Sequence, residues 1–236
     1  WLARLLPDGR LDPSFVPAEL TVGDDWYIAA LGVQSNGKII VAGHLFDGPL
    51  EHWLGVTRLN PDGSLDLPFH ANVRAHYVVL HLFVQPDDKI LIDGGVTAYG
   101  QSAEGPSRLN ADGTLDTSFH PPPEAAWYWT MGLAPDGKVL LGDCDRVVLL
   151  NTDGSFNSGF NVAISGGANN RVWAIVVQDD GKVVVAGDFN RINGVARPGF
   201  ARLFGDLTPL PPTLDPLPAY LARFAGQTVA LPATAH

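Results

Sequence analysis

Short apolar runs separated by polar, glycine-containing turns dominate the first 206 residues. The first pair of runs, 28–33 and 39–43, flanks a short turn, a pattern that predicts a β-hairpin. Apolar residues occupy alternating positions of both phases in runs such as 80–84, which contains one histidine, and 183–186. Such runs predict strands that are covered on both faces, as in a blade packed between two neighbouring blades.

One short phrase, in which an apolar residue and usually Gln precede a turn that ends in Lys, occurs four times. It occupies 33–38, 84–89, 133–138 and 177–182. Its lysines are the only four in the chain, and they are 51, 49 and 44 residues apart. A spacing of this size is typical of a tandem repeat, so we expect the lysine to serve the repeat itself.

A second phrase alternates with the first and contains Arg-Leu, then Asp-Gly, then Leu-Asp. It occupies 4–12, 58–66, 108–116 and, in altered form, 149–157, and a degraded copy begins at Arg202. An Asp-Gly pair between apolar runs predicts a hairpin turn. Each unit is then predicted to have strand A, strand B, a variable loop, strand C and a short strand D. In the first unit these strands are 28–33, 39–43, a strand ending at Leu59, and 65–69.

Four strands in about 50 residues match the size of a propeller blade. We therefore predict an all-β fold of β-propeller-type repeats, with about four blades of roughly four antiparallel strands each. The array begins and ends inside a unit. This favours a partial, open propeller, and we expect further repeats upstream in the parent chain.

The second phrase also carries a pair of opposite charges. A three-residue turn with Gly at the bulge places Arg58 opposite Asp66. The same pairing joins Arg4 to Asp12 and Arg108 to Asp116. In the third unit both charges are lost together, since Leu149 and Asn157 replace them. We interpret the pairs as exposed structural ion pairs worth about 0.2 to 1 kcal/mol each, with a binding role as the alternative.

The repeats resemble the delta-60 repeats of large exported bacterial proteins. The resemblance is carried by 177–189, by 193–197 and by the second phrase at 58–66 and 108–116, and it extends over about residues 1–206. It implies propeller blades and an exported parent protein, but little about activity, because propellers host both binding and catalysis. The third unit departs from the pattern, since its loop between strands B and C shrinks to 143–146 and Ala134 replaces Gln.

A change of composition after Asp206 sets the predicted domain boundaries. We predict a repeat array over 1–206, with a partial unit at 1–20 and units near 21–70, 71–120, 121–160 and 161–206. A proline-rich, extended linker is predicted at 207–218. Residues 219–236 resemble the start of a bacterial immunoglobulin-like domain, which implies a truncated following domain.

Charge and composition narrow the possible partners. The chain carries 25 acidic and 15 basic residues, a formal charge of −10, so we expect no nucleic-acid partner. Its apolar runs are far shorter than the roughly 20 residues that span a bilayer, so we expect no membrane insertion. Cys144 is the only cysteine, which excludes an intrachain disulfide and a cysteine-rich metal site.

The start of the chain bears on its location. It begins with Trp1 and shows no signal peptide, so we expect a removed leader or an excised N-terminus. The resemblance to exported repeats implies a secreted or bacterial cell-surface protein.

Motifs that carry catalysis do not stand out in the sequence. The Asp-Gly phrase has Gly in the fourth position and no Glu at the twelfth, which does not match an EF-hand calcium loop. His70 and His120 follow equivalent phenylalanines, which indicates a structural use in the repeat. We expect no catalytic residue, no metal and no cofactor. Carboxylate pairs such as Asp143 and Asp145 are interpreted as solvated turns, with glycoside hydrolysis as the alternative.

Aromatic residues precede or begin strand A in every complete unit. They are Trp26, Tyr27, Tyr77, Trp127, Tyr128, Trp129 and Trp173, with Arg171 close to the last. The A strands of a propeller line its central channel, so these residues would gather at one mouth of it, where they suit sugar rings or a protein partner. Core packing is the leading interpretation, because Trp129 and Trp173 share the phase of Leu31 and Leu82, which we expect to be buried, and a ligand-binding mouth is the alternative.

The sequence therefore predicts a noncatalytic structural or interaction module of a large exported bacterial protein. Its partner would be an unknown protein or glycan, recognised by the loops between strands B and C. The alternative is a glycan-binding or glycan-processing propeller that uses the aromatic channel mouth.

Overall fold

The computed structural model describes residues 2–18, 27–47, 52–126, 128–204 and 213–214. These residues form a succession of small antiparallel β-sheets, with one α-helix, α1 (Leu67–Asn72), and a 3-10 turn at Pro123–Ala125. Within them, no helix has the length and apolarity needed to cross a membrane. The predicted all-β class is confirmed.

The strands fall into four successive units. The first unit contains β1 (Ile28–Val33), β2 (Ile39–Gly43), β3 (Phe46–Asp47), β4 (His52–Trp53) and β5 (Val56–Leu59). After α1, the second contains β6 (Val73–Ala75), β7 (Leu82–Val84), β8 (Ile90–Ile92), β9 (Val96–Ala98), β10 (Gln101–Ala103) and β11 (Ser107–Leu109). The third contains β12 (Thr130–Leu133), β13 (Val139–Gly142), β14 (Arg146–Leu150) and β15 (Phe156–Ser165). The fourth contains β16 (Val172–Val177), β17 (Val183–Gly187), β18 (Arg191–Ile192), β19 (Val195–Ala196), β20 (Phe200–Phe204) and β21 (Thr213–Leu214).

A three-stranded meander recurs in every unit and corresponds to the predicted strands A, B and C. The middle strand is β2 between β1 and β5, β8 between β7 and β11, β13 between β12 and β14, and β17 between β16 and β20. In the first unit Ile40 pairs with Gly32 on one side and Arg58 on the other. All of these pairings are antiparallel, as predicted for a propeller blade.

Two kinds of turn set the register of the meander. Across the turn between β1 and β2, Gln34 N–H donates to Lys38 O at 2.9 Å. In the turn after β5, Asn60 N–H donates to Ser64 O at 2.7 Å, and Gly63 has a φ of +96°. Glycine adopts this conformation with little steric cost, which explains the glycine of the second phrase. The predicted three-residue turn with Gly at the bulge is confirmed.

The prediction of a strand D at 65–69 is wrong. Leu65 forms a single bridge with Leu59, and the chain then enters α1. Pro68 has no N–H group to donate to a strand ladder, but it is well tolerated in the first turn of a helix. In the third unit, where this segment has no proline, it forms the ten-residue strand β15 against β14.

The variable loop between strands B and C folds as a small hairpin in three units. The hairpins are β3–β4, β9–β10 and β18–β19. In the second and fourth units the hairpin also pairs with the chain that arrives from the preceding unit, β9 with β6 and β18 with β15. In the third unit a short turn replaces it, in which Asp143 N–H donates to Arg146 O at 2.9 Å. The hairpins β9–β10 and β18–β19 therefore lie at the boundaries between units.

Successive units pack against each other through buried apolar clusters. One cluster joins Ile40 of the first unit to Leu82 and Ile90 of the second. The A strands approach closely there because of a glycine, since a Cβ on Gly32 would lie 2.5 Å from Leu82 Cδ2. The expectation that Leu31 is buried is wrong, because it faces away from this cluster and is 49% exposed.

The last sheet extends into the predicted linker. Leu214 pairs with Leu203, and Thr213 pairs with Phe204, so β21 adds a fourth strand beside β20. Part of 207–218 is therefore a strand of the array. The other linker residues and the predicted following domain at 219–236 lie outside the described residues.

Candidate functional site

An arginine, a lysine and an aspartate meet inside the first unit. Arg58 Nε donates to Asp66 Oδ2 at 2.6 Å, and Lys38 Nζ donates to the same oxygen at 2.8 Å. Arg58 and Asp66 are each only 5% exposed, so this pair is buried and not exposed as expected. Burial by itself raises the pKa of Asp66, but the hydrogen bonds from Lys38 and Arg58 outweigh burial and hold that pKa below its ordinary value. Lys38, from the first phrase, thus contacts the second phrase.

The arrangement recurs with variations along the array. Arg108 Nε lies 2.7 Å from Asp116 Oδ2, with Lys89 Nζ at 3.1 Å from the same oxygen. Arg4 Nε lies 2.8 Å from Asp12 Oδ2, and this outer pair is more exposed. In the third unit, which has Asn157 in place of the aspartate, Lys138 Nζ lies 2.5 Å from Asp136 of its own turn.

The same arginines reach from one unit to the next. Arg4 Nη1 donates to Pro61 O at 2.5 Å, Arg58 Nη1 to Ala111 O at 2.6 Å, and Arg108 Nη1 to Thr152 O at 2.9 Å. The guanidinium carbons also lie 5.0, 4.7 and 4.7 Å from the ring centres of Phe15, Phe69 and Phe119. These contacts occupy each guanidinium with neighbouring protein groups, which gives the arginines a structural use at the boundaries between units.

A cleft of about 440 Å³ lies between the second and third units. Tyr77 comes from the chain before β7, and Tyr128 and Trp129 come from the chain before β12. Tyr77 is 58% exposed and Trp129 is 44% exposed, so neither side chain is part of the buried core. Leu80, Asp93, Glu104 and Asp143 also line the cleft.

The Trp129 ring is stacked against Arg171. The guanidinium carbon lies 3.6 Å from the centre of the Trp129 ring and 5.1 Å from that of the Trp173 ring. A guanidinium held against indole rings makes a stabilising cation–π contact. Because Arg171 and Trp173 belong to the fourth unit, this contact crosses a second boundary and positions a ring that lines the cleft.

The predicted aromatic set is divided between two places. Tyr77, Tyr128 and Trp129 line the cleft, with Arg171 and Trp173 behind them. Tyr27 instead contacts His44, with the two ring centres 6.0 Å apart, and His44 contacts Trp53 at 5.3 Å. Trp26 and Trp127 lie outside the described residues.

Tyr128 contributes a buried hydroxyl to the cleft wall. Among the described residues, this hydroxyl has no hydrogen-bond partner of acceptable geometry. Burial raises the pKa of Tyr128, and the carboxylates of Asp143 and Asp145 act in the same direction, while the Arg146 guanidinium opposes them. The phenol is therefore neutral and protonated at neutral pH.

Sequence reasoning raised Asp143 as part of a carboxylate pair but did not identify Asp93 or Glu104 as site residues. Asp93 Oδ1 accepts the Leu80 N–H at 3.0 Å, and Asp93 Oδ2 accepts the His81 N–H at 3.0 Å and lies 2.6 Å from His81 Nδ1. A signal was present, because Asp93 stands where the first and fourth units have Ala42 and Ala186 at the end of strand B. No cluster of three or more His, Cys, Asp or Glu side chains suited to a metal ion occurs within the described ranges.

The size of one side chain explains why the cleft lies at this boundary. Phe83 occupies the A-strand position that Gly32 and Gly132 hold in the first and third units. A Cβ on Gly132 would lie 2.9 Å from Ile175 Cγ2 of the next unit, which is again too close for a side chain, as at Gly32. Phe83 instead packs into the buried cluster of the third unit. A ring of this size cannot allow the close strand approach that glycine permits.

Comparison with known families identifies the fold. Segments 2–15, 34–69, 85–119 and 178–209 match the family model described as "Domain of unknown function (DUF5122) beta-propeller". The repeat array is a β-propeller. The third unit of the propeller, at 121–160, lies outside the matched segments, and it is also the unit that has lost the Arg and Asp of the second phrase.

Several solved structures are similar to the propeller. The extracellular domain of a protein described as a hybrid two component system from B. thetaiotaomicron aligns with 86% of the chain, at 13% identity and a TM-score of 0.45, and the chain spans only 22% of its length. The extracellular domain of a protein described as a one component system from the same organism aligns with 92% of the chain and 29% of its own length, at 13% identity and a TM-score of 0.48. A glucose dehydrogenase aligns over 80% of the chain and 70% of its own length, at 14% identity and a TM-score of 0.44. No curated protein matches the chain in sequence.

Proposed function

We propose that this propeller is a noncatalytic binding module whose ligand site is the cleft between the second and third units. One observation carries the proposal. The Tyr77 and Trp129 side chains, from two different units, are about half exposed around a cleft of about 440 Å³. Exposed aromatic side chains held at the edge of a concave surface are typical of binding sites, because they combine a large apolar area with little loss of side-chain freedom.

The polar groups near the cleft support binding over catalysis, because they are already engaged in the fold. Asp93 accepts two backbone N–H groups and contacts His81, which fixes the chain before β7. His81 Nε2 lies 3.5 Å from Thr130 Oγ1, too far for a strong hydrogen bond, and Thr130 is 3% exposed. A hydroxyl buried in this way is not accessible to a substrate.

The parent protein and its location are part of the same proposal. The resemblance to delta-60 repeats supports an exported bacterial protein, secreted or on the cell surface, in which this array occupies 1–206. The hairpins β9–β10 and β18–β19 lie at unit boundaries, and we propose that such hairpins add contacts to whatever the cleft holds. A linker over the rest of 207–218, outside β21, and a following domain at 219–236 remain proposed divisions of the chain.

Glycan binding is the more specific form of this proposal. The Trp129 ring, held in place by Arg171, offers a flat apolar surface of the kind on which sugar rings stack. The exposed carboxylate of Glu104 can accept hydrogen bonds from sugar hydroxyl groups at the edge of the cleft.

The test is a glycan array probed with the full chain and with three variants. Trp129→Leu removes one of the cleft rings, Phe200→Leu removes a more exposed ring in the fourth unit, and Lys38→Ala alters a turn lysine outside the cleft lining. We expect a retained glycan to be lost in Trp129→Leu and kept in the other two variants. Equal retention by all four proteins would place binding elsewhere and contradict the proposed site.

A further inference from the structure

We infer that the cleft recognises an organic cation, a ligand that carries an alkylated ammonium group. This inference rests on the proposed function, since it names the class of ligand for the same cleft. Its basis is the combination of three carboxylates and exposed aromatic rings in one concave site between two units.

The charge of the cleft lining favours a cation. Asp93, Glu104 and Asp143 line it, and the described lining residues include no Lys, Arg or His. The net charge of −10 for the whole chain adds a long-range attraction of the same sign. An anionic ligand would meet repulsion from both sources.

Positive side chains near the cleft are not part of its lining, although two of them act on lining aromatic residues. Arg171 is stacked against Trp129 and Trp173, and the Arg146 guanidinium acts on Tyr128. His76 Nδ1 lies 3.2 Å from Glu104 Oε1 and His81 Nδ1 lies 2.6 Å from Asp93 Oδ2, so protonation of either histidine would offset one of the three carboxylates. Among the described residues, no histidine is paired with Asp143.

The hydrogen bonds of the carboxylates distinguish a cation from a neutral sugar. Asp93 uses both oxygens to hold Leu80 and His81, and Asp143 Oδ1 accepts the Cys144 N–H at 2.7 Å. Most of the acceptor capacity of Asp93 is therefore used within the fold, whereas Asp143 accepts one of the about four hydrogen bonds that a carboxylate can accept. At Asp93, a ligand that needs charge more than hydrogen bonds fits better than a sugar hydroxyl group.

The aromatic rings add a second attraction for the same ligand. The faces of Tyr and Trp rings attract ammonium groups, and the attraction grows when the cation is partly removed from water. Tyr77 and Trp129 come from opposite units, and both line the cleft. Leu80 supplies an apolar contact for the alkyl groups of such a cation.

A pair of ligands that differ only in charge tests the inference. We would titrate the full chain with choline and with 3,3-dimethylbutan-1-ol, its uncharged carbon analogue, by isothermal titration calorimetry at low salt. We expect choline to bind about fivefold tighter or more, and the difference to shrink as salt is added. Equal affinity, or tighter binding of the alcohol, would overturn the inference.

Two matched variants test whether the preference for choline arises in the cleft. Glu104→Gln removes one lining charge, and Glu124→Gln removes an exposed carboxylate on the 3-10 turn outside the lining. We expect only Glu104→Gln to weaken choline binding, by about twofold, and neither change to affect the uncharged analogue. A choline affinity that is unchanged in Glu104→Gln and in Tyr77→Leu would overturn the inference.

The two proposals fail in different ways. Retention of a neutral glycan that depends on Trp129, without a preference for choline, would overturn the cation inference and leave the binding site standing. Absence of both choline binding and glycan retention would overturn both.

Discussion

Arg58 and Ala111 lie in successive units, and the Nη1 group of the arginine donates to the carbonyl oxygen of the alanine at 2.6 Å. The Nε group of the same arginine is bound to Asp66 within its own unit at 2.6 Å. One side chain thus joins a strand, a turn and the next unit. Because the side chain is buried, its loss should affect stability far more than the loss of a surface ion pair.

Arg58→Met should lower the free energy of unfolding by about 3 kcal/mol, because it removes one of the two cationic partners of the buried Asp66 together with the hydrogen bond to Ala111 O of the next unit. Chemical denaturation of the full chain measures this. Arg4→Met is the matched control, since Arg4 makes the same contacts at a more exposed position and should cost about 1 kcal/mol or less.

The third unit supplies a second control for the pair formed by Arg58 and Asp66. It carries Leu149 and Asn157 where the first unit has Arg58 and Asp66, so neither charge is left alone. The double change Arg58→Leu with Asp66→Asn should therefore be less destabilising than Arg58→Met. A double variant with a lower free energy of unfolding than Arg58→Met would contradict the account of the pair.

Stability should fall in acid because of Asp66. Its folded pKa lies below the ordinary value of 3.8, so its contribution is present above about pH 3.8 and is lost as the pH falls through the lowered pKa. Melting temperatures between pH 2 and pH 7 should drop below pH 4 in the unmodified chain. Asp66→Asn should be less stable at pH 7 and should show a shallower drop, and parallel curves would argue against this role.

The turn glycines differ in what surrounds them, and this gives a matched pair. Gly63 and Gly9 both have positive φ, +96° and +84°, but a Cβ on Gly63 would lie 2.5 Å from Val16 O, whereas nothing lies within 4 Å of one on Gly9. Gly9→Ala should cost about 1 to 2 kcal/mol from backbone strain alone. Gly63→Ala should cost about 1 to 3 kcal/mol more because of the clash, as measured by urea unfolding. Similar costs would mean that the chain around Val16 does not cover the turn.

Features that depend on residues close together in the sequence were predictable, and features that depend on contacts between units were not. Turn glycines and strands A, B and C were predictable, because they follow from local periodicity and steric rules. The prediction of strand D failed where Pro68 favours the start of a helix. The cleft could not be predicted, because it depends on the boundary between two units, where Phe83 packs and where Tyr77 and Trp129 line the cleft. The phase of Trp129 in the sequence suggested burial. Asp93 differed from the repeat, but its use became clear only from its contacts with the chain before β7.

The hairpin tip at Tyr99 should tolerate a stabilising change. Tyr99 has a φ of +49°, which is uncommon for a bulky residue, and Asn193 occupies the same place in the fourth-unit hairpin with a φ of +47°. Tyr99→Asn should raise the free energy of unfolding by about 0.5 to 1 kcal/mol, because asparagine adopts this conformation more readily. Thermal unfolding measures the change, and a loss of stability would show that the exposed ring makes contacts that outweigh the strain.

The indole N–H signals of the six tryptophans test most directly whether the cleft is the binding site. A ligand identified on the array or by calorimetry would be added to the ¹⁵N-labelled full chain, with Trp129 and Trp53 assigned from Trp→Phe variants. We predict that the Trp129 signal shifts on titration, while the Trp53 signal, whose N–H donates to Ala75 O at 2.6 Å, stays in place. A shift of Trp53 with an unchanged Trp129 would contradict the assignment of the cleft as the binding site.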